Sequence, residues 1–254
     1  VGKKKLVGIV FMSFVILFLH TFLYASSDDV TLMDASPKDY VYQGMDFGVN
    51  GDTEKAEKSF RKTFEFYNDL NSIGFIEQFF GSIARIGIKI CEDVANKKLK
   101  KELAVSLFEA YFLAEMRNER DEAISKCKGV LFITPNYIPA HLLLSDFYVA
   151  NGKEDKALNE IKKAIAINSK EDKESHYKLA MFYFARGNEI LAESELTKLD
   201  ALAGEDVDVH LRLALLYTRM KKYELAIKHC QKALDLGNKV SSKILEEIKS
   251  NQKQ

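Results

Sequence analysis

The stretch "AHLLLSDFYVANGKEDKALNEIKKAIAIN", residues 140–168, reads as two short helices around an Asn-Gly turn. Leu144 and Tyr148 mark the apolar face of the first helix, at a spacing of four. Beyond the turn, Ala157, Ile161 and Ala164 follow the i, i+4, i+7 rule of a one-sided helix. Asn151-Gly152 between them is the punctuation expected where one helix stops and the next begins.

Shifting the chain against itself shows that this unit recurs every 34 to 35 residues. Ala157 has counterparts at Ala123, Ala192 and Ala226. Tyr148 has counterparts at Tyr183 and Tyr217, and Leu144 at Leu179 and Leu213. On the second helix, Cys127, Ile161, Leu196 and Cys230 share one position, and Val130, Ala164, Leu199 and Ala233 another. A fixed period of this length marks a helical repeat array, in which each unit buries its apolar face only against its neighbours.

The pattern resembles the tetratricopeptide repeat, a 34-residue helix-turn-helix unit. Residues 175–199, "SHYKLAMFYFARGNEILAESELTKL", and 209–237, "VHLRLALLYTRMKKYELAIKHCQKALDLG", carry the same order of small, aromatic, turn, Ala and apolar positions. Residues 107–137 carry its second half with a closing Pro135. The family's tryptophan is absent, and Leu107, His141, His176 and His210 stand in its place, which implies a less tightly packed array. The resemblance predicts an all-α chain, an α-solenoid of helix-turn-helix repeats behind an N-terminal hydrophobic targeting or anchor helix. Its expected divisions are a signal peptide or anchor over 1–27 with apolar core 6–24, a linker over 28–36, and a repeat-like unit over 37–70. A degenerate repeat or one long helix follows over 71–103. Repeats then cover 104–137, 138–172, 173–206 and 207–238, and a solvating C-terminal helix covers 239–254.

Residues 46–57, "DFGVNGDTEKAE", admit a competing reading as a calcium loop, with Asp46, Asn50, Gly51 and Glu57 at the first, fifth, sixth and twelfth places. Gly48 stands where a third-position ligand belongs, and Thr53 where an apolar residue locks such a loop. Ala56 lies 67 residues before Ala123, two repeat lengths within one residue. The segment is therefore expected to be an inter-helix turn without metal.

Lys3, Lys4 and Lys5 precede Leu6–Tyr24, nineteen residues without a formal charge, and Ala25, Ser26 and Ser27 follow. A basic start, an apolar core and small residues are the order of a signal peptide. The same length nearly spans a bilayer, so a retained anchor fits too. Both readings place the chain beyond Ser27 outside the cytoplasm, in the bacterial periplasm, either soluble after cleavage near Ser27 or anchored in the inner membrane by residues 6–24.

Lys+Arg and Asp+Glu are both 37, so the chain has no bulk attraction for nucleic acid. The basic run Asn96–Glu102 reads as a solvated helix end. The three cysteines, Cys91, Cys127 and Cys230, form no metal-type cluster, and two of them sit on the repeat's inward stripe as small core residues. His141, His176 and His210 repeat along successive first helices, but packed helices are about 8–10 Å apart, too far for one metal to join them. A pH-dependent softening of the stack is the expected consequence instead. No P-loop, nucleophile elbow, HExxH or dinucleotide fingerprint occurs, so neither enzyme chemistry nor a cofactor is predicted.

Function is then expected on a surface. The first helix of each pair should line the inner curve of the solenoid, and Leu142, Asp146, Tyr177, Met181, Phe184, Leu211, Arg212 and Leu215 are the candidate partner-binding residues there. Their apolar character suits an amphipathic helix or apolar peptide, and equally a neighbouring segment of the same chain or a second copy. The clamp by which chaperone-binding relatives hold an acidic C-terminus is not carried over, because Leu142, Asp146, Tyr177 and Met181 occupy its places. The resemblance implies a non-catalytic interaction scaffold at the bacterial envelope. The alternative is an accessory subunit or chaperone of one envelope enzyme, secretion or assembly complex.

Overall fold

A computed structural model describes residues 35–66, 72, 74, 80–168 and 172–252. The expected targeting segment, residues 6–24, and most of the linker lie outside the described residues. Among the described residues there are twelve α-helices and no strand, and no helix is long and apolar enough to cross a membrane.

Helices α1 (Pro37–Val49) and α2 (Thr53–Lys62) form the first pair, and a 3-10 turn (Thr63–Phe66) leaves it. A single helix, α3 (Ser82–Ala95), follows. Four more pairs come next: α4 (Lys101–Met116) with α5 (Arg120–Ile133), and α6 (Ile138–Ala150) with α7 (Glu154–Ile167). After them stand α8 (Lys173–Phe184) with α9 (Glu189–Ala203), and α10 (Val207–Arg219) with α11 (Tyr223–Asp235). Helix α12 (Ser241–Gln252) closes the stack against α11, burying Ile244, Leu245 and Ile248.

Local chemistry sets the boundaries. Ser36 and Asp39 form a reciprocal capping box at the start of α1, with Pro37 at the first helical position. The turns within four of the pairs share one construction. Asp52 donates its N–H to the Phe47 carbonyl, Lys153 to Tyr148, Asn188 to Tyr183 and Lys222 to Tyr217, each at 2.8–3.0 Å. The residue before each donor, Gly51, Gly152, Gly187 or Lys221, sits at positive φ, which completes a Schellman ending. Residues 46–57 are therefore the end of α1, this turn, and the start of α2 capped by Asp52. The repeated aromatic supplies the carbonyl that closes each first helix.

Ala56, Ala123, Ala157, Ala192 and Ala226 are fully buried, where the two helices of each pair cross. Only a methyl fits at such a crossing. Cys127 and Cys230 share that burial as free thiols, and burial raises both above the usual thiol range.

The degenerate repeat or long helix expected over 71–103 falls partly outside the described residues. Its described helix, α3, lies against α2, and the loop Asn96–Lys100 then leads into α4. The close approach depends on the Phe60 ring, which is gripped between two glycines. A Cβ on Gly87 of α3 would stand 2.5 Å from that ring, and one on Gly44 of α1 would stand 2.7 Å from it.

Candidate functional site

The first-helix face is not an open groove. Leu142, Tyr177, Leu211, Arg212 and Leu215 are all buried, with Tyr177 and Leu215 each 3% exposed, and only Asp146, Met181 and Phe184 are partly accessible. Five of the eight candidates, Leu142, Tyr177, Leu211, Arg212 and Leu215, do not stand free in this structure. They are covered by the chain itself.

The cover comes from described residues between α2 and α4. Phe64 and Phe80 pack against both the N-terminal and the C-terminal halves of the core, and Phe66 joins them on the C-terminal half. Arg219 donates a hydrogen bond to the Gly74 carbonyl at 3.2 Å. Arg85, on α3, reaches 123 residues along the chain to grip Asp208 with two hydrogen bonds of 3.0 and 3.1 Å. Arg212 lies beside it, 2.8 Å from Glu174 and 3.2 Å from Asp208, with its guanidinium 4.5 Å from the Tyr177 ring centre. Burial alone would raise the Asp208 carboxyl, but Arg85 and Arg212 outweigh it and hold it at about 2. Two guanidiniums between two carboxylates, one fork bidentate, form a directional lock. Of the partly accessible candidates, Asp146 accepts from Lys178 at 2.5 Å, and Met181 packs on the C-terminal core.

The repeated histidines also have partners, each on the second helix of its own pair and each 19 residues on. His141 Nδ1 meets Glu160 at 2.6 Å, and His176 Nδ1 meets Glu195 at 2.7 Å. For both glutamates burial acts upward, but the histidine bond and a neighbouring lysine outweigh it and hold the carboxyl below its ordinary range. In the last pair the glutamate is replaced by His229, whose Nδ1 lies 3.2 Å from His210 Nδ1. The second ring nitrogen of His141 faces the Pro135 carbonyl at 2.9 Å, and that of His210 the Gly204 carbonyl at 3.1 Å. Burial pulls the His229 ring down to about 4, against the pull of Asp200.

Sequence reasoning found the histidine positions but missed their partners. The 19-residue offset was legible in the chain: Glu160, Glu195 and His229 fall on it. Nothing in the sequence pointed from Arg85 to Asp208.

This architecture defines a class: the all-helical solenoid of tetratricopeptide repeats. Models of the family described as tetratricopeptide repeat match residues 138–171 and 207–237, so the chain carries repeats of this kind there. Among solved structures it is similar to a thermophilic TPR protein of Thermus thermophilus, at 17% identity, covering 86% of this chain and all of that one, with a TM-score of 0.50. A MamA protein matches at 15% identity over 81% of this chain and 94% of that one, with a TM-score of 0.44. Pseudomonas aeruginosa pilF matches at 14% over 84% and 96%, with a TM-score of 0.42. At these identities the likeness concerns the fold alone. No curated protein matches the chain in sequence. The fold supports a protein–protein interaction scaffold, and proteins of this class are typically non-catalytic.

Proposed function

We propose that this protein is a non-catalytic interaction scaffold of the bacterial envelope, exported or membrane-anchored through residues 6–24, and that it engages its partner on the outside of the stack rather than in the first-helix groove. Export is supported by the sequence, where three lysines precede a charge-free run and small residues follow it. The observation that carries the binding surface is a pair of unburied neighbours at the end of α5, Phe132 at 88% and Ile133 at 61% exposure. A second exposed pair, Ile190 and Leu191 at 82% and 42%, is purely aliphatic, and five of the eight groove candidates are buried. An exposed aromatic beside an aliphatic residue suits the apolar face of a partner's amphipathic helix.

Affinity capture of the full chain from periplasmic and membrane fractions tests both halves of the reading. The protein and its partner are expected there, and recovery only from cytoplasm overturns export. Phe132→Ser with Ile133→Ser is expected to lose the partner while helicity and Tm stay unchanged, because little packs on these side chains. A partner retained by that variant places the surface elsewhere.

A further inference from the structure

The three 19-residue pairs differ in one respect that the fold does not require. In the first two, a histidine ring meets a carboxylate, which accepts whatever the ring donates. In the third, a second ring takes the carboxylate's place. The Gly204 carbonyl takes the Nε2 proton of His210, so His210 Nδ1 presents a lone pair. His229 then shares its single proton with that lone pair through Nδ1. Its own Nε2 is left as a bare acceptor, buried and without a hydrogen-bond partner, in a residue 1% exposed. The neighbour of that atom is another acceptor, Asp200 Oδ2, at 3.7 Å. Three electron-donating groups converge here around one shared proton, an arrangement that protein interiors seldom tolerate unless something positive joins them.

We propose that Asp200, His210 and His229 bind a first-row divalent transition metal, zinc being the ion whose preferences they match, and that the metal fastens α9, α10 and α11 to one another. One nitrogen of each ring and one Asp200 oxygen lie within 4.8 Å of one another. The two Nδ1 atoms are 3.2 Å apart, and two nitrogens bound tetrahedrally to one zinc stand about 3.4 Å apart. Two neutral imidazoles with one carboxylate form a set that zinc accepts while keeping a fourth position for water. His210 gives its Nδ1 lone pair and keeps its proton on Nε2, while His229, to ligate through Nδ1, carries its proton on Nε2 facing Asp200 instead, so binding shifts one proton within the ring and none has to leave. The surroundings hold the rings in place: the Gly204 carbonyl fixes His210, and the Tyr217 ring stacks on His229 at 5.6 Å and 9°. Asp200, whose side chain is 33% exposed, provides the way in. Lys228, 3.3 Å from Asp200, is the cation a metal must displace, so affinity should be micromolar rather than far tighter.

The decisive variant is His229→Glu, which rebuilds in the last pair the arrangement seen at His141–Glu160 and His176–Glu195. Untagged full-length protein, stripped with chelator, is titrated with zinc against a chromogenic chelator and melted at each zinc concentration. One equivalent is expected to bind, with Tm rising with zinc. His229→Glu is expected to fold with its Tm retained and to bind at least tenfold more weakly. Asp200→Asn, at a partly exposed position, is expected to fold and to weaken zinc as well. Cobalt(II) in the wild type should give the intense visible bands of a tetrahedral site. No saturable equivalent in the wild type, or equal binding by wild type and both variants, overturns the proposal.

Discussion

At the scale of single residues, the glutamates that clasp His141 and His176 are where this stack should respond to acid. Glu160 and Glu195 have folded-state values depressed below the usual carboxylate range, chiefly by their histidine bonds working against burial. A depressed carboxylate contributes stability that is present above its unfolded value and lost as pH falls through the folded one. The loss therefore belongs below about pH 4.5. His229 adds a separate slope: held at about 4, it costs stability as pH falls from its ordinary 6.5. Comparing wild type with Glu160→Gln/Glu195→Gln cancels the His229 contribution. The double variant is expected to melt lower at pH 7, by about 1–3 kcal/mol per site, and to fall less steeply between pH 5 and 3. Parallel curves for the two proteins would show that these bonds carry no acid sensitivity.

Among the helices, α3 is the piece the repeat pattern did not foretell. Ile86 and Ile90 enter the N-terminal core, while Arg85 reaches across to Asp208 on α10. Its seat against α2 requires the absence of a side chain at Gly87, because the Phe60 ring is also confined by Gly44. Alanine favours a helix over glycine by about 1 kcal/mol, but overpacking typically costs about 1–3 kcal/mol. Gly87→Ala should therefore lower Tm. Gly129→Ala, on α5 with nothing within 4 Å of an added Cβ, should raise it. Thermal melts of the two variants check the opposite signs, and a rise for both would mean that α3 is not seated on Phe60.

For the whole molecule, the self-filled face changes what substitution there does. Tyr177 and Leu215 would be dispensable to folding if they lined an empty groove. Both are buried, with Tyr177 beneath the Arg212 guanidinium and Leu215 close to Gly74. Truncating a buried large side chain costs about 2–5 kcal/mol. Tyr177→Ala with Leu215→Ala is expected to lower Tm by roughly 10 °C or more. An unchanged melt would show that the groove is open in solution.

The repeat was legible in the linear chain because its cause is local. The spacing of Ala157, Ile161 and Ala164 fixes a helix face, and the aromatic-turn-Ala order fixes where each helix ends and which side packs on its partner. Residues 46–57 could be read as a turn for the same reason, since Gly51 had to adopt a positive φ there. What fills the first-helix face was settled by packing alone. Arg85 and Asp208 carry no mutual signal in a linear chain, and an apolar strip looks alike whether a partner or the chain's own segment covers it. The same holds for the last histidine pair. The offset of 19 was written in the sequence, but the bare His229 nitrogen facing Asp200 exists only once α9, α10 and α11 are packed together.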